Sequence, residues 1–350
     1  MRTISSLLII SGSLFTLIGC EGLGGTAGDD ASGGSGATGG SGAGGSGGGV
    51  EKLCEIIDDV GNNTSQGSTL SFSTERSLEP GCTYRFAAGF YVYSGGTLTV
   101  PEGVTLISDF HFGVDGGTLK IEGTEENPVT VKVGEFYSDD PTERVHSGFY
   151  LDNGTVELSH VNLEGQDGGP RACITITGDE AELSIDLEDV SLRQCHVAGI
   201  RFEDFDLVTH GGPYEGPQMP IKTFNNVTIA DAPHGYYVQD TFLTPLPGEA
   251  TFENVPSNFV LLSSYQDMPE PRRLVKTSIP WETQGFTADG TIVVEAGVEL
   301  VIRDEACQFD NLCSNGDFTS ANGELRLEGT AADPITIRPK TGETVGAHYI

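Results

Sequence analysis

The chain has 350 residues, with 51 acidic and 18 basic side chains and a formal net charge of −33 at pH 7. Charge of this sign and size excludes a nucleic-acid-binding protein, because such proteins need clustered basic side chains to displace counterions from phosphates. It favours a soluble acidic surface with many carboxylates that could bind divalent cations.

The N-terminus has the parts of a secretory signal. Arg2 gives a positive start, residues 7–18 form an apolar core, and Leu17-Ile18-Gly19-Cys20 closes the segment. The core is too short to span a bilayer, which needs about 20 apolar residues. The last four residues resemble the lipobox of bacterial lipoproteins. Residues 1–19 are therefore predicted to be a signal peptide and Cys20 the lipidated first residue of the mature protein.

This resemblance implies export and attachment to a membrane through the lipid. Glu21, rather than aspartate, follows the cysteine. By resemblance to lipoprotein sorting, that residue favours the outer membrane or cell surface of a Gram-negative bacterium.

Residues 20–49 are predicted to be a disordered tether, because Gly, Ser, Ala and Thr dominate them and they cannot bury a core. Residues 50–81 are predicted to form an N-terminal cap with a short amphipathic helix. Four apolar residues there recur at the spacing of one helix face. They are Leu53, Ile56, Ile57 and Val60.

From residue 82 onward the pattern indicates strands, and one block occurs twice, at residues 95–133 and 289–338. Both copies contain G-T-x-x-V-x-x-G-V-x-L, with an offset of 194 in the first half of the block and 206 in the second. The difference is an insertion of 12 residues around Cys307 and Cys313. Apolar residues alternate within short runs bounded by glycine, which indicates short strands with tight corners.

Between the copies, four looser units begin with a polar residue and a valine, at spacings of 29, 37 and 28 residues. They are His160-Val161, Asp189-Val190, Asn226-Val227 and Asn254-Val255. Repetition at such periods predicts a solenoid, in which each unit covers the core of the next.

These blocks and units together resemble bacterial right-handed parallel β-helix proteins of the pectate-lyase-like superfamily. The resemblance covers residues 82–350 and implies an all-β right-handed parallel β-helix. It leaves the chemistry open, because the superfamily contains polysaccharide lyases, glycoside hydrolases and adhesins. By this reading the second copy stops partway at Ile350, which leaves an open stack that needs a partner or marks an incomplete sequence.

Six cysteines remain after Cys20, an even number that suits an oxidising compartment and allows 15 disulfide connectivities. Proximity in sequence suggests three pairs, namely Cys54 with Cys82, Cys173 with Cys195, and Cys307 with Cys313. None of these spacings is typical of a zinc site.

The lyases of this superfamily pair acids that bind Ca2+ with an arginine base, so acidic clusters are the candidate sites. Catalytic candidates are Asp186, Glu188, Asp189 and Arg201, and candidate Ca2+ ligands are Glu203, Asp204 and Asp206. Carboxylates suit Ca2+, the one cofactor that the sequence suggests. The alternative is that these acids are solvated turn residues, because a chain with 51 acids contains such clusters by composition.

Histidines and tyrosines offer two further patterns. His160, His196 and His234 recur in related places, either as an acid–base face or as repeated polar corners. Four tyrosines could form a ladder that stacks sugars or contacts a protein, or they could be buried between turns. They are Tyr214, Tyr236, Tyr237 and Tyr265.

The sequence therefore favours a membrane-anchored, extracytoplasmic lipoprotein that acts as a non-catalytic binding or scaffold protein, with a polysaccharide or a surface protein as partner. The alternative is a polysaccharide lyase or glycoside hydrolase that uses acidic residues with Ca2+. The enzyme hypothesis requires acids from adjacent turns to meet in one groove opposite Arg or Lys.

Overall fold

The computed structural model describes the part of the chain between Leu70 and Lys340, with gaps. The described ranges are 70–86, 89–108, 110–134, 147–165, 170–177, 183–202, 220–239, 246, 248–264, 272–283, 286–288, 291–303, 318–320 and 324–340. The predicted signal peptide, the tether and the helix at Leu53–Val60 lie outside these ranges.

All elements of the described residues are β-strands. They are β1 (Leu70–Phe72), β2 (Glu75–Ser77), β3 (Thr83–Phe86), β4 (Phe90–Tyr93), β5 (Thr97–Pro101), β6 (Thr105–Ser108), β7 (Phe112–Glu122), β8 (Val129–Val133), β9 (Ser147–Gly165), β10 (Ala172–Ile176), β11 (Leu183–Arg193), β12 (Ala198–Phe202), β13 (Ile221–Asn225), β14 (Thr228–Ala230), β15 (His234–Gln239), β16 (Thr251–Glu253), β17 (Ser257–Ser264), β18 (Arg272–Leu274), β19 (Trp281–Thr283), β20 (Phe286–Ala288), β21 (Thr291–Val294), β22 (Glu299–Ile302), β23 (Phe318–Ser320), β24 (Glu324–Leu327) and β25 (Thr336–Pro339). The first two strands lie within the range predicted as the cap.

The strand pairings are parallel and follow three series along the chain. The first series is β1-β4-β7-β9-β10-β12-β15-β17-β19-β22-β25. The second is β2-β5-β7-β9-β11-β13, and the third is β3-β6-β8-β9-β11-β14-β16. Because β7, β9 and β11 are long enough to join more than one series, 22 strands form one continuous sheet.

Near the C-terminal end two further sets of parallel strands appear. One is β17-β20-β23, and the other is the separate three-stranded sheet β18-β21-β24. The chain thus returns to the same series once in every turn, an arrangement consistent with a solenoid-like parallel β-helix.

Alternation of apolar and polar side chains produces the core. In β5 and β7, Leu98, Val100, Leu119 and Ile121 are fully buried, while the residues between them are partly exposed. Side chains of a strand alternate between its two faces, so every second residue points into the stack. The buried residues of successive turns form one continuous apolar cluster that runs through the described strands.

The duplicated block has the same strand register in both copies. Leu98 pairs with Leu119 in the first copy, and Ile292 pairs with Leu325 in the second. Likewise Leu106 pairs with Val131, and Leu300 pairs with Ile337. The copies nevertheless occupy different series, because β6 and β8 belong to the third series while β22 and β25 belong to the first.

The last described turn is less covered than its counterpart. Leu119, Ile121, Val129 and Val131 are fully buried, whereas the corresponding residues of the second copy are partly or largely exposed. Leu327 is 44% exposed and Ile337 is 36% exposed. No further described strand pairs with β24 or β25.

The predicted disulfide between Cys173 and Cys195 is confirmed. These residues are 22 positions apart in sequence, their Cα atoms are 5.4 Å apart, and both are buried. The bond joins β10 to the segment that leads into β12, the next strand of the same series. Cys82 is also disulfide-bonded, but Cys54, Cys307 and Cys313 lie outside the described residues, so the other two pairings stay predictions.

Candidate binding surface

The acidic candidates on β11 lie on the outer side of the second series. Asp186 is half-buried and Glu188 is exposed, and they alternate with the buried Ile185 and Leu187. Arg201 lies on β12, in the first series. Glu203, Asp204 and Asp206 lie outside the described residues. Within the described ranges, no group of three or more His, Cys, Asp or Glu side chains could hold a metal ion.

Asp189 lies at a corner between the second and third series. Its φ is 53°, and the φ values of His160 and Asn226, at the same corner of neighbouring turns, are 49° and 50°. The Asn226 side chain donates a hydrogen bond to the Asp189 carboxylate, and His160 Nε2 lies 3.6 Å from that carboxylate. Asp, Asn and His tolerate the left-handed backbone that this corner requires, which explains these residues without catalysis.

The three histidines occupy different surroundings. His160 lies at the corner just described, His196 precedes β12, and His234 begins β15. His234 is buried, and its Nδ1 lies 3.0 Å from Ser257 Oγ. Burial lowers the pKa of His234 to about 4, and the positive charges of Arg303 and Lys340 act in the same direction, whereas Glu282 opposes them. His234 is therefore neutral at physiological pH.

Glu282, close to His234, carries a buried charge. Only 7% of its side chain is exposed, and its carboxylate forms an ion pair with Arg303, whose Nε lies 2.6 Å from Oε2. Lys340 Nζ lies 3.4 Å from the same oxygen. Two cations on neighbouring turns thus compensate one buried carboxylate, as burial of a charge requires.

The tyrosines named from the sequence do not form a ladder where the structure describes them. Tyr236 belongs to the core, and its hydroxyl accepts a hydrogen bond from the backbone N–H of Ala250 at 3.0 Å. Tyr237 lies on the outer side, 4.9 Å from the Phe259 ring and 4.8 Å below the Arg201 guanidinium. Tyr214 and Tyr265 lie outside the described residues.

A different aromatic cluster lies on the outer side of the first series, and it was not predicted from the sequence. This tyrosine cluster consists of Tyr91, Tyr93, His111 and Tyr150, carried by β4, by the residue before β7 and by β9. The rings of Tyr91 and Tyr93 are nearly parallel with centroids 5.5 Å apart. His111 lies 5.2 Å from Tyr91 and 5.8 Å from Tyr150.

A glycine allows the cluster to form. Gly113 pairs with Tyr91 on one side and with Tyr150 on the other. A Cβ atom on Gly113 would lie 2.2 Å from the Tyr91 ring, so the ring rests on the glycine backbone. Any larger residue at this position would push Tyr91 away from the sheet.

The surroundings of the tyrosine cluster are acidic. Tyr91 has its pKa raised to about 12, first by burial and then by the nearby Tyr150, Tyr93, Asp115 and Asp152. Burial likewise raises the pKa of Tyr150, and Asp152 and Asp115 add to that increase. Both phenols therefore stay protonated, and the two carboxylates make the electrostatic potential at the rings negative.

One sequence signal could have indicated this cluster. Tyr91 and Tyr93 flank the buried Val92 in a strand, so their side chains must lie on the outer side together. Tyr150 could not be assigned to the same place, because the turns differ in length. Tyr91 pairs with Gly113 after 22 residues, and Gly113 pairs with Tyr150 after a further 37.

Comparison with known proteins gives no family for this chain. No protein-family model matches it, and no curated protein or solved structure shows a significant match. Among the described residues there is no helix long and apolar enough to cross a bilayer.

Proposed function

We propose that this protein is an exported lipoprotein that is held at the outer membrane or cell surface by a lipid on Cys20. Its domain is a right-handed parallel β-helix of the pectate-lyase-like kind and acts as a non-catalytic binding surface. Right-handed connections are the rule where parallel strands of one sheet are joined by crossovers, which supports the handedness.

The observation that carries the binding role is the tyrosine cluster. Three tyrosines and a histidine from three successive turns meet on the outer side of the stack, and 38% of Tyr93 is exposed. A core does not need these rings, because the opposite faces of the same strands already bury Phe90, Phe112 and Phe149. Exposed aromatic rings of this kind are typical of surfaces that contact sugars or proteins.

The described acids support a binding role over catalysis. Asp186 and Glu188 lie in a different series from Arg201, and Asp189 is held at a corner by Asn226. The enzyme hypothesis requires these groups to converge.

The anchoring part is tested by Cys20→Ser expressed in a Gram-negative host. The unchanged protein should incorporate labelled palmitate and enter the detergent phase, and the variant should do neither. Palmitate-free, soluble wild-type protein would contradict the anchor.

The non-catalytic part is tested by incubating the protein with acidic and neutral polysaccharides and Ca2+. If the wild-type protein forms unsaturated or reducing sugar ends and the Asp186→Ala variant does not, the protein is an enzyme and the non-catalytic proposal is wrong.

A further inference from the structure

The tyrosine cluster combines aromatic rings with nearby negative charge. Asp115 is exposed and makes no ion pair among the described residues, and it lies near both Tyr91 and Tyr150. Asp152 is half-buried, and its carboxylate accepts a hydrogen bond from Thr177 Oγ1 at 2.9 Å. Asp115 lies opposite Tyr93 in the register of β4 and β7, and both residues are exposed on the outer side. Charge complementarity therefore calls for a cationic ligand.

One hydroxyl of the cluster is already used within the protein. The Tyr91 hydroxyl is hydrogen-bonded to His111 Nε2. The Tyr91 ring stacks on Tyr93 and covers Gly113, so open π surface is offered by the exposed Tyr93 and the half-buried Tyr150. A sugar would need free donors and acceptors around its own hydroxyls, whereas a cation without N–H groups needs only π faces and negative charge.

We propose that the tyrosine cluster binds a quaternary ammonium group, with the rings of Tyr93 and Tyr150 as its walls and Asp115 as its counter-charge. This inference rests on the proposed binding function and names its ligand class. The faces of aromatic rings attract cations, and such rings are used to recognise choline-like groups. A net cation should bind better than a zwitterion, because a phosphate beside the ammonium group would meet Asp115 and Asp152.

The direct test measures binding of choline to the full-length protein in nonionic detergent at pH 8, by saturation-transfer NMR and calorimetry. We expect a dissociation constant on the order of 1–10 mM. The neutral isostere 3,3-dimethyl-1-butanol should bind at least about five-fold more weakly, because it lacks the charge. Phosphocholine should also bind more weakly than choline, which separates a free ammonium ligand from a lipid headgroup.

Matched variants locate the site. Asp115→Asn and Glu122→Gln each remove one exposed negative charge from β7, but only the first removes it from the cluster. Asp115→Asn and Tyr93→Ala should each weaken choline binding about three-fold, and Glu122→Gln should leave it unchanged. Tyr93→Trp should strengthen binding, because tryptophan attracts cations best. Thermal melting of each variant checks that it is folded.

Three outcomes would overturn the inference. The first is equal binding of choline and its neutral isostere, and the second is an equal effect of Asp115→Asn and Glu122→Gln on choline binding. The third is the absence of saturation transfer to choline at about 50 mM, well above the expected dissociation constant. A neutral oligosaccharide that binds and is lost in Tyr93→Ala would refute the ammonium ligand but keep the binding surface. A soluble, unlabelled protein in the palmitate experiment would refute the anchor alone.

Discussion

At the scale of single residues, ion pairs occur in both buried and exposed surroundings. Arg303 illustrates the first case, because 24% of its side chain is exposed and it pairs with the 7% exposed Glu282. Arg273 illustrates the second, because 46% of it is exposed and its partners Glu295 and Glu328 lie at 3.2 and 3.5 Å on the surface. The same residue type should therefore matter very differently at the two positions.

We expect Arg303→Met to lower the free energy of unfolding by about 3 kcal/mol, because it leaves the buried Glu282 with Lys340 as its one ion-pair partner among the described residues. Arg273→Met should cost less than about 1 kcal/mol, since an exposed pair is screened by water. Urea unfolding of both variants at pH 7.5 measures the difference. Equal losses would contradict the assignment of Glu282 as a buried charge.

His234 should make stability depend on pH. Its pKa is about 4 in the folded protein, below the ordinary value of about 6.5. The contribution of neutral His234 to the stability of the fold is therefore fully present above pH 6.5. As the pH falls from 6.5 toward 4, the unfolded chain takes up a proton that the folded protein does not, and stability is lost. At pH 5 the loss should be about 2 kcal/mol.

Urea unfolding at pH 7.5 and pH 5 checks this for the wild type and for His234→Gln. The variant lacks the titrating group, so its stability should fall less between the two pH values. If both proteins lose the same amount, another group accounts for the pH dependence.

Only part of the site could be predicted at this scale. The polar residue before valine was a candidate for acid–base or catalytic chemistry in two units, at His160 and Asp189. The structure places both, together with Asn226 and Asn254, at corners with φ between 49° and 55°. Left-handed corners and catalytic sites select the same short polar side chains. Sequence alone therefore cannot separate the two roles.

At the scale of strands, close packing requires glycine at some positions within a strand. Gly199 on β12 has no unusual backbone, but a Cβ there would lie 2.4 Å from Cγ2 of the buried Ile229. The side chain of Ile229 fills the space that another residue type would need. Gly148 and Gly235 likewise leave no room for a Cβ, against Cys173 and Phe252.

Gly199→Ala should destabilise the protein by about 1–3 kcal/mol through overpacking. Ile229→Ala should also destabilise it, through a cavity. The double variant should be more stable than the sum of the two losses predicts, by at least about 1 kcal/mol, because each change relieves the other. Strict additivity in chemical denaturation would show that the two side chains do not compete for one space.

The strands were predicted best where the sequence repeats. Aligning the two copies of the block with offsets of 194 and 206 equates Leu98 with Ile292 and Leu119 with Leu325, and the structure pairs these residues in the same way. The partner of a strand outside the repeat was not predictable, because turns of different length separate paired residues.

At the scale of the whole molecule, stability should vary along the stack. Each turn of a solenoid contacts only its neighbours, so a turn is as stable as the turns that cover it. Strand β9 pairs on both sides and takes part in all three series, whereas β24 pairs only with β21 among the described strands.

Native-state hydrogen exchange should reflect this difference. The backbone amides of β9 and β11 should exchange last, near the global unfolding free energy, and those of β24 and β25 should exchange first. Mass spectrometry of peptic fragments over seconds to days measures the order. Uniform exchange of all four strands would indicate one cooperative unit and contradict neighbour-limited stability.

The two copies of the block occupy different series of the stack, so the same strands face different directions in the two copies. The duplicated segment keeps its inward side chains and its register, yet it has moved around the long axis by a fraction of a turn. The second copy therefore keeps the buried side chains of the first, while its exposed side chains face a different direction. The tyrosine cluster, which lies beside the first copy, therefore needs no counterpart beside the second.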